Sequence, residues 1–218
     1  MPVSDYHQIS DVMHVVEQVK PRSVLDIGVG FGKWGMLCRE VLDVYYGRVH
    51  KPSWSTRVDG VEIFEPYRNP LWSYCYDTVH RGDITALVST LGHYDLMICC
   101  DVIEHFEKAE GKALVHRLLQ SCGVLILTSP RGYHPQHAFN ENEREEHKSG
   151  WERSDFVGMP HLYQEIGFTF MVVLSTSETT LASIKLRHPM DVLGVKKGIR
   201  ALLTEIGRRL VFRFQASP

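Results

Sequence analysis

The chain has 218 residues, enough for one substantial hydrophobic core and a tail. Its 44% hydrophobic and 23% charged content are those of a soluble globular protein and exclude a disordered or fibrous one. A formal net charge of −2 excludes a general electrostatic nucleic-acid binder.

Five cysteines occur without a Cys-x-x-Cys pair, which points to a reducing, cytoplasmic compartment. No basic-apolar signal pattern opens the chain, and no apolar run is long enough to span a bilayer.

Residues 5–19 place Ile9, Val12, Met13, Val16 and Val19 on one helical face, and Lys20 and Pro21 stop that helix. It covers the sheet or lids the site. Residues 23–27 read as a short apolar strand. Three alternate glycines follow, Gly28, Gly30 and Gly32, and then a helix pattern in Trp34, Leu37, Cys38, Val41, Leu42 and Tyr45. Strand, glycine turn and helix make a nucleotide-sized crevice at the carboxyl edge of an open α/β sheet.

Residues 45–56 are longer than an ordinary α/β connection. Their aromatic and basic side chains suit either a substrate contact or a surface insertion anchored by Trp54. Arg57–Ile63 reads as the second strand, with Glu62 near its end. Phe64–Pro70 is loop-like. Val79–Gly82 is a weak third strand, and Asp83 caps a helix ending near Leu91. Tyr94–Cys100, apolar but for Asp95, is the fourth strand ending on Asp101, with Cys99 and Cys100 as small buried residues.

A helix is expected over Lys108–Gln120 and a fifth strand over Gly123–Leu127, broken from Thr128 to Gly132. Residues 131–153 are polar, irregular and too long for a plain connector. Ser154–Ile166 reads as helical with an interruption at Met159 and Pro160. Phe168–Leu174 and Thr179–Leu186 suit a terminal antiparallel pair. The division expected is a domain over 1–187 and a tail over 188–218. In the tail, residues 195–214 form a basic amphipathic helix with Ile199, Leu202, Leu203, Ile206 and Leu210 on one stripe. Such a helix packs on its own core, joins a homodimer, or lies on the inner face of a membrane.

Two runs carry a family resemblance. Asp26-Ile-Gly-Val-Gly-Phe-Gly32 resembles the first motif of class I S-adenosylmethionine-dependent methyltransferases. The run from Tyr94 to His105, with its Asp-Val-Ile-Glu-His ending, is similar to their fourth-strand motif. Glu62 and Asp83 stand in order where that family keeps its second-strand and third-strand acids. The resemblance covers about residues 20–130. It implies an α/β fold: a doubly wound, mostly parallel seven-stranded sheet with a terminal antiparallel hairpin and helices on both faces.

The implied cofactor is S-adenosyl-L-methionine. A carboxylate at the end of the second strand, Glu62, can accept both ribose hydroxyls, with Ile63 beside it on the cofactor side. Gly28 and Gly30 admit the ligand to the backbone, and Gly32 lets the helix start close to the strand. Asp26 fixes the turn or meets the ammonium group. Asp83 accepts from the adenine amine or caps its helix, Ile84 or Phe64 flanks the adenine, and Asp101 sits under the methionine end. Glu62 lies 34 positions after Gly28, against about 20 for a dinucleotide fingerprint. The 45–56 insertion accounts for the excess, and Glu65 is the competing acid.

Methyl transfer to a hydroxyl is helped by a positioned base. The candidates are His105, His134, His137 and His147, with His147 first because Glu146 and Trp151 flank it. His134-x-x-His137 with His147 can also be read as metal ligands, with oxygen donors at Asn140, Glu141, Glu143 and Glu146. That spacing matches no standard zinc pattern, and no metal is expected. The function expected is O-directed methylation of a small molecule or a glycan or lipid-linked acceptor, without nucleic acid as partner. The alternatives are a non-catalytic S-adenosylmethionine-binding module and a NAD-binding oxidoreductase.

Overall fold

The computed structural model describes residues 3–139 and 141–187. The expected helix at 195–214, and the tail as a whole, lie outside the described residues, as does Asn140.

The centre is a seven-stranded sheet in the order β3-β2-β1-β4-β5-β7-β6. Its strands are β1 (Ser23–Ile27), β2 (Arg57–Glu62), β3 (Thr78–Arg81), β4 (Tyr94–Cys100), β5 (Cys122–Pro130), β6 (His161–Ile166) and β7 (Thr169–Leu174). The first five are parallel. β7 runs antiparallel to β5, and β6 antiparallel to β7. The chain leaves β1 for β2 and β3 on one side, then returns to β4 and β5 on the other. The reversal between β1 and β4 opens a crevice at their carboxyl ends.

Every residue from Leu96 to Cys100 is buried, so both faces of β4 are covered and its unbroken apolar run is explained. The helix α1 (Ile9–Val19) ends at Lys20, which takes the left-handed conformation (φ 48°) before Pro21. After the glycine turn, α2 (Lys33–Leu42) starts from Gly32 at φ 90°. Between β2 and β4 lie two short helices, α3 (Pro70–Cys75) and α4 (Ile84–Leu87). α5 (Lys108–Gln120) buries Leu114, Val115, Leu118 and Leu119. Full burial of each such side chain stabilises by roughly 1.5–3 kcal/mol.

Several elements depart from the sequence expectation. The antiparallel pair exists, but its outer strand is His161–Ile166 rather than Thr179–Leu186. A capping box between Glu152 and Asp155 closes one short turn over Arg153–Phe156. Gly158 (φ 90°) and Pro160 then end it, so a helix over 154–166 cannot form. Tyr163 instead stacks on Phe170 across the hairpin, ring centroids 5.2 Å apart. Ser177 caps the helix α6 (Glu178–Ser183) where a strand was expected.

β5 runs on to Pro130 because Thr128, Ser129 and Pro130 find partners in Met171, Phe170 and Thr169. The helix after Asp83 stops at Leu87, well short of Leu91. Residues 45–56 prove to be a structural insertion. Fully buried Asp43 accepts hydrogen bonds from the Arg39 and Arg48 guanidiniums and from the Ser55 and Thr56 amides. The Arg39 guanidinium lies 4.5 Å from the Trp54 ring centroid.

Candidate active site

An open cavity of about 1100 Å³, counting its mouth, lies at the carboxyl ends of β1, β2 and β4. None of residues 45–56 lines it.

The turn after β1 forms its floor. The amides of Gly28 and Val29 donate to Val61 O at 2.9 and 3.3 Å, tying the turn to β2. Gly28 has φ 79°, and a Cβ there would meet Val102 at 2.7 Å. Only glycine fits both demands. Glu62, at the end of β2, accepts from Gly30 N at 2.8 Å and from Phe64 N at 2.9 Å. It lines the cavity with Ile63, and burial raises its pKa. Each carboxylate oxygen has a second lone pair, so Glu62 can hold the turn and still accept from a ligand.

Asp26 and Gly32 stand elsewhere than the cofactor side. Asp26 is fully buried and does not line the cavity. Tyr76 Oη donates to its Oδ2 at 2.5 Å, and its Oδ1 has no partner among the described residues. Burial lifts its pKa to about 7 against the lowering by the Tyr76 hydrogen bond. The Tyr76 hydroxyl in turn accepts from Gly35 N at 3.0 Å, which links Asp26 to the start of α2. Gly32 is also off the cavity, and its Cβ would press on Leu71 of α3 at 3.3 Å. α3 is thus a support that sequence reasoning missed, and Trp72 Nε1 donates to Gly30 O at 2.8 Å. The signal was there in Asn69 and Pro70, a capping residue followed by a proline at the first helical position.

Asp83 and Ile84 line the far end. Asp83 caps α4 through Thr85 N at 2.8 Å, and its Oδ2 lies 3.7 Å from Arg144. Phe64 is off the cavity and Tyr67 takes its place, donating from Oη to Glu145 Oε1 at 2.9 Å. Glu65 is also outside, paired with Arg68 and Arg81.

Asp101 follows β4 in the left-handed conformation, φ 55°, uncommon for a residue with a side chain. Its carboxylate accepts from Asp5 N at 2.9 Å, from Gln8 Nε2 at 3.1 Å, and from Thr128 Oγ1 at 3.2 Å. Burial still raises its pKa. The segment before α1 therefore packs on Asp101, and Val3 and Ser4 line the cavity, where no residue of α1 does. Lys33 Nζ donates to Ser4 O at 2.5 Å in the same place and lines the cavity, which no motif had flagged. Burial lowers the Lys33 pKa.

The other mouth holds His105, Phe106 and Lys148. The Lys148 and Ser149 amides both donate to Glu104 O, at 2.8 and 3.1 Å, which brings His147 beside His105. The two imidazoles meet at 5.0 Å between centroids, and burial lowers both pKa values, favouring the neutral rings. His134 does not join them. Its Nε2 is 2.9 Å from Arg131 O, and His134, His137 and His147 all stand off the cavity lining, which His105 joins. Buried Glu104 stands with His105 and His147, an association hidden in the sequence because 42 positions separate the two histidines.

No family model and no curated protein matches the sequence. Solved structures do match. The methyltransferase domain of bacterial CtHen1 aligns at TM-score 0.52 and 18% identity, over 78% of this chain and 97% of that one. The N-terminal domain of EvdMO1 with SAH bound aligns at TM-score 0.57 and 14% identity, over 80% and 83%. An O-methyltransferase family protein from Burkholderia thailandensis aligns at TM-score 0.55 and 11% identity, over 78% of this chain and 55% of that one. The chain has the fold of S-adenosylmethionine-dependent methyltransferases.

Proposed function

We propose that the protein is an S-adenosylmethionine-dependent methyltransferase acting on a hydroxyl of a small molecule or glycan. The observation that carries this is one cavity lined by the glycine turn, Glu62, Asp83 and His105, with His147 packed against the His105 ring. The fold neighbours crystallised with SAH support the cofactor. Buried faces on both sides of β1 and β4 support a doubly wound sheet with helices on both faces.

The donor set suits this cofactor. Glu62 offers acceptor lone pairs to a ribose diol, with Ile63 alongside. Asp83 and Ile84 offer an acceptor and an apolar wall to an adenine. Gly28 and Gly30 leave the floor bare. Asp101 matches an ammonium group, and Lys33 a carboxylate. When bound, S-adenosylmethionine supplies an electrophilic methyl group whose C–S bond breaks as the acceptor oxygen takes the carbon. The residues' own contribution is to hold that oxygen in line at roughly 3–3.5 Å and ease removal of its proton. His105 lines the cavity and faces this task, with His147 against its ring, and His134 does not.

No helix among the described residues is long and apolar enough to cross a membrane. Five free, buried cysteines support a cytoplasmic setting, and the small negative charge argues against nucleic acid as acceptor.

The test follows adenosylhomocysteine release across sugars, lipid-linked sugars and phenols. Turnover of at least one hydroxyl acceptor, lost in Glu62→Ala, is expected. Binding of adenosylhomocysteine without turnover of any acceptor would leave a binding module instead.

A further inference from the structure

Glu104, His105 and His147 offer ligand atoms that lie within 4.8 Å of one another, and His105 also lines the cavity. Ligands held about 2.0–2.2 Å from one ion stand at most about 4.4 Å apart, so the cluster would draw in slightly around a cation. Two independent features show what the cluster is set up to take.

The first is the state of the imidazoles. His105 Nδ1 lies 3.1 Å from Glu146 O, and His147 Nδ1 lies 2.6 Å from His134 O. A carbonyl oxygen only accepts, so each Nδ1 carries the hydrogen and each Nε2 keeps a lone pair. Backbone carbonyls orient metal-binding histidines in this way. The second is Glu104, only 2% exposed, whose Oε2 has no hydrogen-bond partner among the described residues. The Ser129 hydroxyl is near enough to favour its charged form but does not reach bonding geometry. A buried carboxylate without a partner is costly, and a cation would relieve it.

We propose that Glu104, His105 and His147 bind one divalent first-row transition cation, with its open positions facing the acceptor. Two imidazoles and a carboxylate suit zinc, manganese or cobalt rather than calcium. This departs from the metal-free site expected of the sequence, where the spacing of His134 and His137 was the pattern weighed. It rests on the methyltransferase reading only for its purpose. There the acceptor hydroxyl would take an open ligand position and release its proton to solvent nearer neutral pH, as a zinc-bound water does at about 7 rather than 15.7. The Nε2 atoms of His105 and His147 then hold the ion and are not proton acceptors.

Cobalt(II) chloride, titrated into the full chain with and without adenosylhomocysteine, tests this. The wild type is expected to bind one equivalent by calorimetry and to show a visible cobalt absorption band. Glu104→Gln and His147→Ala each weaken binding at least tenfold and lose the band, while His137→Ala matches the wild type. Adenosylhomocysteine affinity serves as the check on folding. Should Glu104→Gln not fold, His147→Ala decides, because His147 is half-buried in a loop. Wild type that binds neither cobalt, manganese nor zinc, or variants that bind as wild type does, overturn the site. If adenosylhomocysteine binds and cobalt does not, the metal is wrong and the methyltransferase stands. If cobalt binds and adenosylhomocysteine does not, the reverse holds.

Discussion

A carboxyl under the glycine turn spends neutral pH near its midpoint. Asp26 is buried with one hydrogen bond, and its pKa is lifted from 3.8 to about 7. The folded state therefore keeps a proton that the unfolded chain releases. Stability from this group is complete below about pH 4 and is lost as pH rises through 7. The whole span is about 4 kcal/mol, from roughly three pKa units at 1.36 kcal/mol each. Asp26→Asn removes the titration. The melting temperature of the variant minus that of the wild type should grow from pH 5 to pH 8, by up to about 10 °C. A difference that stays flat across that range contradicts the account. Of the acids expected at the cofactor, Glu62 and Asp101 line the cavity, as acids at a strand's carboxyl edge do in such sheets. Asp26 was misplaced because it stands one residue earlier in its strand, where the side chain enters the packed core.

Among the elements, the segment before α1 does more than the sequence pattern suggested. Gln8 is fully buried, and its Nε2 donates to both Asp101 oxygens at 3.1 Å. Hydrogen bonds to a charged group are worth about 1.5–3 kcal/mol. Gln8→Ala should lower the melting temperature by about 4–8 °C and weaken adenosylhomocysteine binding severalfold. An unchanged melt would show that the segment does not support Asp101. β4 and α5 were read at their observed boundaries because each has one uninterrupted pattern, a continuous apolar run and a helical stripe. The β6–β7 hairpin was read with the wrong partner. His161–Ile166 alternates weakly and is half-buried, so its strand identity comes from pairing with β7, which no local pattern reports. The polar run 131–153 was unreadable for the same reason. It is held by Trp151, whose Nε1 donates to Ile103 O at 3.2 Å and Ser149 Oγ at 2.9 Å.

On the scale of the whole molecule, sheet order and cavity agree. The reversal between β1 and β4 sets Gly28 against Val102, and the cavity opens at that junction. A dinucleotide would meet the same turn, so the turn alone does not choose the ligand. We infer adenosylmethionine from Glu62, Asp83 and Asp101 around one cavity. The decisive measurement is calorimetric titration of adenosylhomocysteine and of NAD into the wild type, Glu62→Ala and Gly28→Val. The account predicts stoichiometric adenosylhomocysteine binding by the wild type, loss of it in both variants, and no response to NAD. Tight NAD binding with no response to adenosylhomocysteine would contradict it.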